Sequence, residues 1–215
     1  MKIPVIILAL LLALGAAAQP STNTFSTTVN TLIPDANPNG YSSTRNVSGL
    51  FGVIQSLTVS LDITGGFNGD LYCYLASGNG FAVLLNRTGK TAADSFGYDD
   101  SGFNITLSDT ASTDIHLYGG NGGNQLTGTW RPDGRAINPQ LVVDTDLRTA
   151  ILASFNGRDP NGSWTLFVSD LAGGYQSTLV NWSLTIATVP EPNAGQLLGV
   201  LGGLLTASAW WRRKK

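Results

Sequence analysis

Residues 155–186 read FNGRDPNGSWTLFVSDLAGGYQSTLVNWSLTI. Trp164, Leu166 and Val168 alternate with Thr165, Phe167 and Ser169. Trp182, Leu184 and Ile186 alternate with Ser183 and Thr185. A period of two places each apolar set on one face of a strand. Gly173-Gly174 lies between the runs, where backbone with positive φ carries no steric cost. The stretch reads as a β-hairpin. Its two tryptophans bury roughly 150–250 Å² each if they face inward, enough to anchor a core.

The same alternation recurs upstream. Val53, Leu57, Val59, Leu61 and Ile63 share one phase, and Ser56, Thr58, Ser60 and Asp62 the other. That is the pattern of a half-buried strand in an antiparallel sheet. Gly65-Gly66 and Asn68-Gly69 then make a turn, Asp70 opens a strand through Leu71 and Leu75, and another follows through Val83 and Leu85. Phe103, Ile105 and Leu107 alternate again. Thr149 to Phe155 reads as a short helix or turn leading back to the 155–186 stretch. Many short strands separated by turn signals, with no long helical period in between, predict an all-β sandwich.

The two ends differ from this middle. Residues 1–18 carry one lysine, an apolar run from Ile3 to Leu14 and Ala16-Ala17-Ala18 before Gln19. This is the layout of a secretory signal peptide cut after Ala18. At the other end, Pro190-Glu191-Pro192 sits in a 188–193 linker. An apolar span over 194–211 follows, and then the basic cluster Arg212, Arg213, Lys214 and Lys215. The span approaches the ~20 residues of a membrane helix, Trp210 and Trp211 suit the interface, and the basic cluster belongs on the cytoplasmic side.

Between the ends lie seven basic and thirteen acidic residues, and every acidic one is Asp. A mildly acidic domain without a basic patch excludes nucleic acid as an expected partner. The one cysteine, Cys73, excludes an internal disulfide and shares the phase of Leu71 and Leu75, as a small buried hydrophobe does. The one histidine, His116, reads as a surface or loop residue. No serine lies in a G-x-S-x-G elbow, and one His with one Cys is too few for a usual zinc site. Five Asn-x-Ser/Thr triplets begin at Asn46, Asn86, Asn104, Asn161 and Asn181. They fit either glycosylation acceptors of a eukaryotic secreted protein or simply an Asn-, Thr- and Ser-rich composition.

Asp70, Asp99, Asp100 and Asp170 fall at strand ends or in loops. Two readings of them stand: convergence on a calcium ion, for which carboxylates are hard oxygen ligands, or capping of turns by accepting backbone N–H bonds. Trp130, Tyr118 and Tyr41 lie near Gly- or Asn-rich loops, which fits either a sugar platform or ordinary packing.

The motifs resemble a known family. Asn161-Gly162, Trp164, Leu166, Val168 and Asp170, followed by Trp182, Leu184 and Ile186, resemble the closing strands of the P domain (P/Homo B) of kexin- and furin-like proprotein convertases. Gly69-Asp70-Leu71 with Leu75, Ser77, Gly80, Val83 and Leu85 resembles its central signature, and the I-P-D at 33–35 its opening. Gly128-Thr129-Trp130-Arg131-Pro132 is similar to its G-x-x-R-P segment. One departure is Gly65, where many P domains have a histidine. The resemblance covers residues 31–187, with 19–30 as a polar lead-in. It implies a jelly-roll-like antiparallel β-sandwich and a non-catalytic role, stabilising a protease domain. No protease domain shares this chain, so that role implies a subtilisin-like partner in trans.

The tail resembles the PEP-CTERM sorting signal, which implies recognition by an exosortase in a Gram-negative bacterium. Together these readings predict a non-enzymatic protein, membrane-bound during export through the inner membrane. After processing it is expected at the cell surface or in the extracellular matrix, with exopolysaccharide as a further partner. The alternatives are a protease accessory in trans and a carbohydrate-binding module.

Overall fold

The computed structural model describes residues 20–78 and 80–190. The signal segment, Glu191, Pro192, the apolar span and the basic cluster lie outside the described residues. No helix among the described residues is long and apolar enough to cross a membrane.

The fold is all-β. Nine strands lie among the described residues: β1 (Ser21–Leu32), β2 (Tyr41–Val47), β3 (Val53–Gly65), β4 (Leu71–Ser77), β5 (Gly80–Asn86), β6 (Gly102–Leu107), β7 (Leu126–Trp130), β8 (Gly162–Asp170) and β9 (Ser177–Val189). They form two sheets, ordered β1-β9-β3-β6-β7 and β2-β8-β4-β5. The inward faces of both contribute to one buried cluster. Leu57, Val59, Leu61, Ile63, Leu184 and Ile186 come from the five-stranded sheet; Leu71, Cys73, Leu75, Leu166 and Val168 come from the other. Both sheets and this cluster lie within 20–190, so that segment carries what it needs to fold as a unit.

The faces read from alternation are the faces observed: Trp164, Leu166, Val168, Trp182, Leu184 and Ile186 are all buried. The pairing differs. β8 and β9 are not a hairpin, because they lie in different sheets. β8 runs between β2 and β4, and β9 between β1 and β3. Residues 171–176 arch from one layer to the other. A period of two fixes which way a side chain points and says nothing about which strand lies alongside. Across the sandwich, Trp182 Nε1 donates to Ser43 Oγ at 2.9 Å, while Trp164 Nε1 donates locally to the Pro160 carbonyl, just before its own strand, at 2.9 Å.

Three further differences have local causes. Residues 21–30 are part of a strand: β1 pairs along β9 from Ser21↔Thr188 to Leu32↔Thr178. Its Ser, Thr and Asn side chains suit an edge whose inner positions are only half-buried. In β3, the register shifts between Ile54 and Ser56, so Ile54 turns inward and Val53 is only half-buried. β6 and β7 pair in parallel, against the all-antiparallel expectation, and residues 108–125 supply the long crossover that parallel pairing requires. The 149–155 segment contains a 3₁₀ turn over Leu152–Phe155.

Candidate functional site

The G-D-L signature and the end of β8 meet at one end of the four-stranded sheet. A 3₁₀ turn over Asn68–Asp70 feeds β4, whose first residue, Leu71, is in register with Asp170. The Leu171 N–H donates to the Asp70 carbonyl at 2.9 Å. Both carboxylates are buried there, Asp170 completely. Arg87, at the start of the loop after β5, donates Nε to the Gly69 carbonyl at 2.8 Å. Its Nη2 lies 3.5 Å from Asp70 Oδ1. Asp170 Oδ1 accepts a long bond from the Ala172 N–H at 3.4 Å, while Oδ2 has no partner.

This environment disfavours the ionised form of both acids. Burial raises the Asp170 carboxyl to about 7. The Ala172 N–H and Arg87 act against the rise, while Asp70 and Asp35 add to it. Asp70 is also raised by burial, with Arg87 opposing and Asp35 adding. Asp35 therefore joins the electrostatics of the pair. It comes from the I-P-D turn, and its Oδ2 accepts from the Gly174 N–H of the arch at 3.2 Å. In the sequence Asp35 belongs to the I-P-D at 33–35, and nothing there connects it to Asp170, 135 positions away.

Asp100 serves elsewhere. Its carboxylate accepts from the Tyr118 hydroxyl, the Asn121 N–H and the Gly123 N–H, each at 2.7 Å. This is the turn-capping role, and it closes the glycine-rich loop onto the sheet end. Asn68 ties the two regions together: Oδ1 accepts from Gly102 N–H, and Nδ2 donates to the Gly102 carbonyl and the Tyr118 oxygen. Asp99 is exposed. Among the described residues, no three or more His, Cys, Asp or Glu side chains gather closely enough to hold a metal ion. The structure thus brings together Asp70 and Asp170 of the four candidates, and gives Asp100 a different set of partners.

His116 and Cys73 are enclosed. His116 is fully buried, not on the surface. Nδ1 lies 2.7 Å from Asp133 Oδ2, and Nε2 lies 2.8 Å from the Lys90 carbonyl. A carbonyl only accepts, so Nε2 carries a proton; the carboxylate favours a second one on Nδ1. Desolvation opposes the charge, yet Asp133 and the Lys90 carbonyl leave the imidazole raised above its ordinary value. Asp133 also faces Arg135, which reaches Asp114 at 3.0 Å. The same segment lines the edge of β5: Asp133 N–H and Gly134 N–H donate to the Leu84 and Val83 carbonyls. Here the histidine is a fastening for the 131–150 segment. Cys73 is buried, and its thiol is pushed well above the ordinary range by desolvation.

The aromatic trio does not form. Tyr118 and Trp130 are neighbours at 6.0 Å, with Tyr98 at 4.2 Å from Tyr118. Tyr41 is on β2 and packs against the core. A different group stands on the outer face of the four-stranded sheet: Tyr72, Tyr74, Phe81 and Phe167. Its signal was in the sequence, since Tyr72 and Tyr74 flank inward Cys73 and Phe167 lies between inward Leu166 and Val168. Of Pro190-Glu191-Pro192, expected to be a sorting motif, only Pro190 lies among the described residues. It follows β9 directly, beside Gly52.

No family model matches the chain, and no curated protein sequence matches it. Among solved structures, a chain in the complex of the Aeromonas sobria serine protease with the chaperone ORF2 is similar, with TM-score 0.46 and 17% identity over 84% of this chain and 29% of that one. The serine protease of Aeromonas sobria is similar with TM-score 0.42 and 15% identity, over 85% and 30%. The protein described here spans less than a third of the length of either neighbour.

Proposed function

We propose that this protein is a non-catalytic binding module of the bacterial cell surface, a P-domain-like, jelly-roll-like sandwich that serves another macromolecule. The observation that carries this reading is the enclosure of His116. Both ring nitrogens are engaged at 2.7 and 2.8 Å inside the fold, and no solvent reaches the ring. A general base must reach the proton it abstracts, and this imidazole faces a carboxylate and a carbonyl that hold it. The buried thiol of Cys73 is likewise kept from the thiolate form that attacks.

The signal segment and the Pro-Glu-Pro tail support export and sorting by an exosortase-type enzyme. The motif resemblance supports service to a subtilisin-like protease in trans as the accessory form of the same role. A fluorophosphonate probe tests the reading: folded protein is expected to remain unlabelled, and labelling of a serine that disappears on unfolding overturns it. Adding one equivalent of residues 20–190 to a subtilisin-like protease from the same host tests the accessory form; a longer protease half-life on heating is the expected sign.

The unpartnered Asp170 oxygen is the one feature that supports calcium here: the ion would be held by two carboxylates, Asp70 and Asp170, with Asp35 adding negative charge. Arg87 opposes it by charge. The competing occupant of that oxygen is a proton.

A further inference from the structure

The outer face of the four-stranded sheet is built in two parts. On β4, β8 and β5, Tyr74 and Phe167 stack at 4.8 Å with 19° between their planes. Tyr72 lies 6.4 Å from Phe167, and Phe81, 38% exposed, lies 5.2 Å from Tyr74. Rings stacked across strands stand up from the sheet and form a ridge. On β2 and β8 the outward side chains are short: Ser42, Thr44, Asn46, Ser163 and Thr165. Ser42 is in register with Phe167, and the Thr44 and Thr165 hydroxyls lie 3.2 Å apart. The face is therefore a step, with an aromatic wall beside a floor of hydroxyl and amide groups.

We infer that this step binds a neutral polysaccharide, with sugar C–H surfaces against the Tyr74–Phe167 wall and sugar hydroxyls on the Ser42, Thr44 and Thr165 floor. The choice of occupant follows from charge. None of the outward positions of β2, β8 and β4 holds a carboxylate or a basic side chain, and Arg45 turns to the other side, over the Phe25 ring. A polyanionic glycan or an anionic membrane surface is read by Lys and Arg, which this face lacks. A second protein chain favours a continuous apolar patch, whereas here the rings cover only part of the face. Aromatic walls with adjacent hydrogen-bonding groups suit ligands that are apolar on one side and hydroxylated along the edge.

This inference rests on the binding-module reading and names its ligand class. Native gels containing hydroxyethyl cellulose, xylan, glucomannan or dextran, with alginate as the anionic control, test it on residues 20–190. At least one neutral polymer is expected to retard migration, and alginate is not. Tyr74→Ala and Phe167→Ala should weaken retardation about tenfold, while Tyr74→Phe preserves it. Thr44→Trp, on the exposed floor and away from the core, should abolish it with melting unchanged, which keeps the test valid if an aromatic deletion unfolds. No retardation by any of the four neutral polymers, or retardation unaffected by Tyr74→Ala and Thr44→Trp, overturns the inference. So does sedimentation with phosphatidylglycerol vesicles, or a dimer, that Thr44→Trp abolishes. Those outcomes leave the binding-module reading standing, because only folding-dependent serine labelling removes that.

Discussion

Replacing Asp170 with Asn isolates the cost of one buried charge. Asp170 is fully buried, with one carboxylate oxygen unpaired, and its carboxyl titrates near 7 in place of 3.8. Below pH 3.8 both folded and unfolded chains hold the proton, and the residue makes no pH-dependent contribution. Between 3.8 and 7 the unfolded chain has lost the proton while the folded one keeps it, so stability falls as pH rises. Above 7 the loss is complete. At about 1.4 kcal/mol for each pH unit between the two values, it amounts to about 4 kcal/mol. Asn has the shape of the protonated acid and no charge to bury. The expected outcome is a variant of near wild-type stability at pH 4, and one more stable than wild type by about 2–4 kcal/mol at pH 8. Urea unfolding of residues 20–190 in chelator, followed by tryptophan fluorescence, measures both. A variant less stable than wild type at pH 8 in chelator refutes the reasoning, because the charged form would then be the favoured one. A calcium arm separates ion from proton. If Asp70 and Asp170 hold the ion, calcium at 100 times its dissociation constant adds about 2.7 kcal/mol to wild type. The Asn variant gains less. Wild-type curves that coincide in millimolar calcium and in chelator remove the ion.

Trp164→Ala and Trp182→Ala should each cost about 3–5 kcal/mol in the same unfolding assay, since both rings are fully buried; losses below about 1 kcal/mol for both would contradict their place in the core. His116→Ala leaves Asp133 buried without its imidazole partner and should cost about 3–5 kcal/mol at pH 6. Because the folded imidazole is raised above 6.5, its contribution is full below that value and declines as pH rises through the folded value. A pH-independent penalty for His116→Ala would show that the ring is neutral. Intact-mass analysis from the native host should find the chain ending near Pro190 to Pro192 when an exosortase is present; a mature species ending at Lys215 would reject processing.

The faces of the strands were legible because burial follows a period of two, and Trp164, Leu166, Trp182 and Leu184 obey it. Partners were not. The Gly173-Gly174 turn suits a hairpin and an arch equally, and only the flanking strands β2, β4, β1 and β3 decide between them. β1 is not legible in the sequence because Ser, Thr and Asn serve loops and half-buried edges alike. Nor is the burial of His116, whose fastening depends on Asp133 and Lys90, 17 and 26 positions away. Asp70 and Asp170 stand in two separate motifs, and strand register brings them together. Asp100 resembled them in sequence until its three donors, Tyr118, Asn121 and Gly123, gave it another role.

The position of β9 sets the order in which the protein can be completed. Among the described residues, β1 is an edge strand whose only sheet partner is β9, and β9 also supplies one flank of β3. As the chain emerges from its N-terminus, residues 21–32 wait with unpaired backbone until residues 177–189 arrive. An unpaired apolar strand would recruit other chains during that interval. Residues 21–32 read STNTFSTTVNTL, with only Phe25, Val29 and Leu32 apolar. The polar composition that disguises β1 as a lead-in also lets the first strand wait in water for the last one.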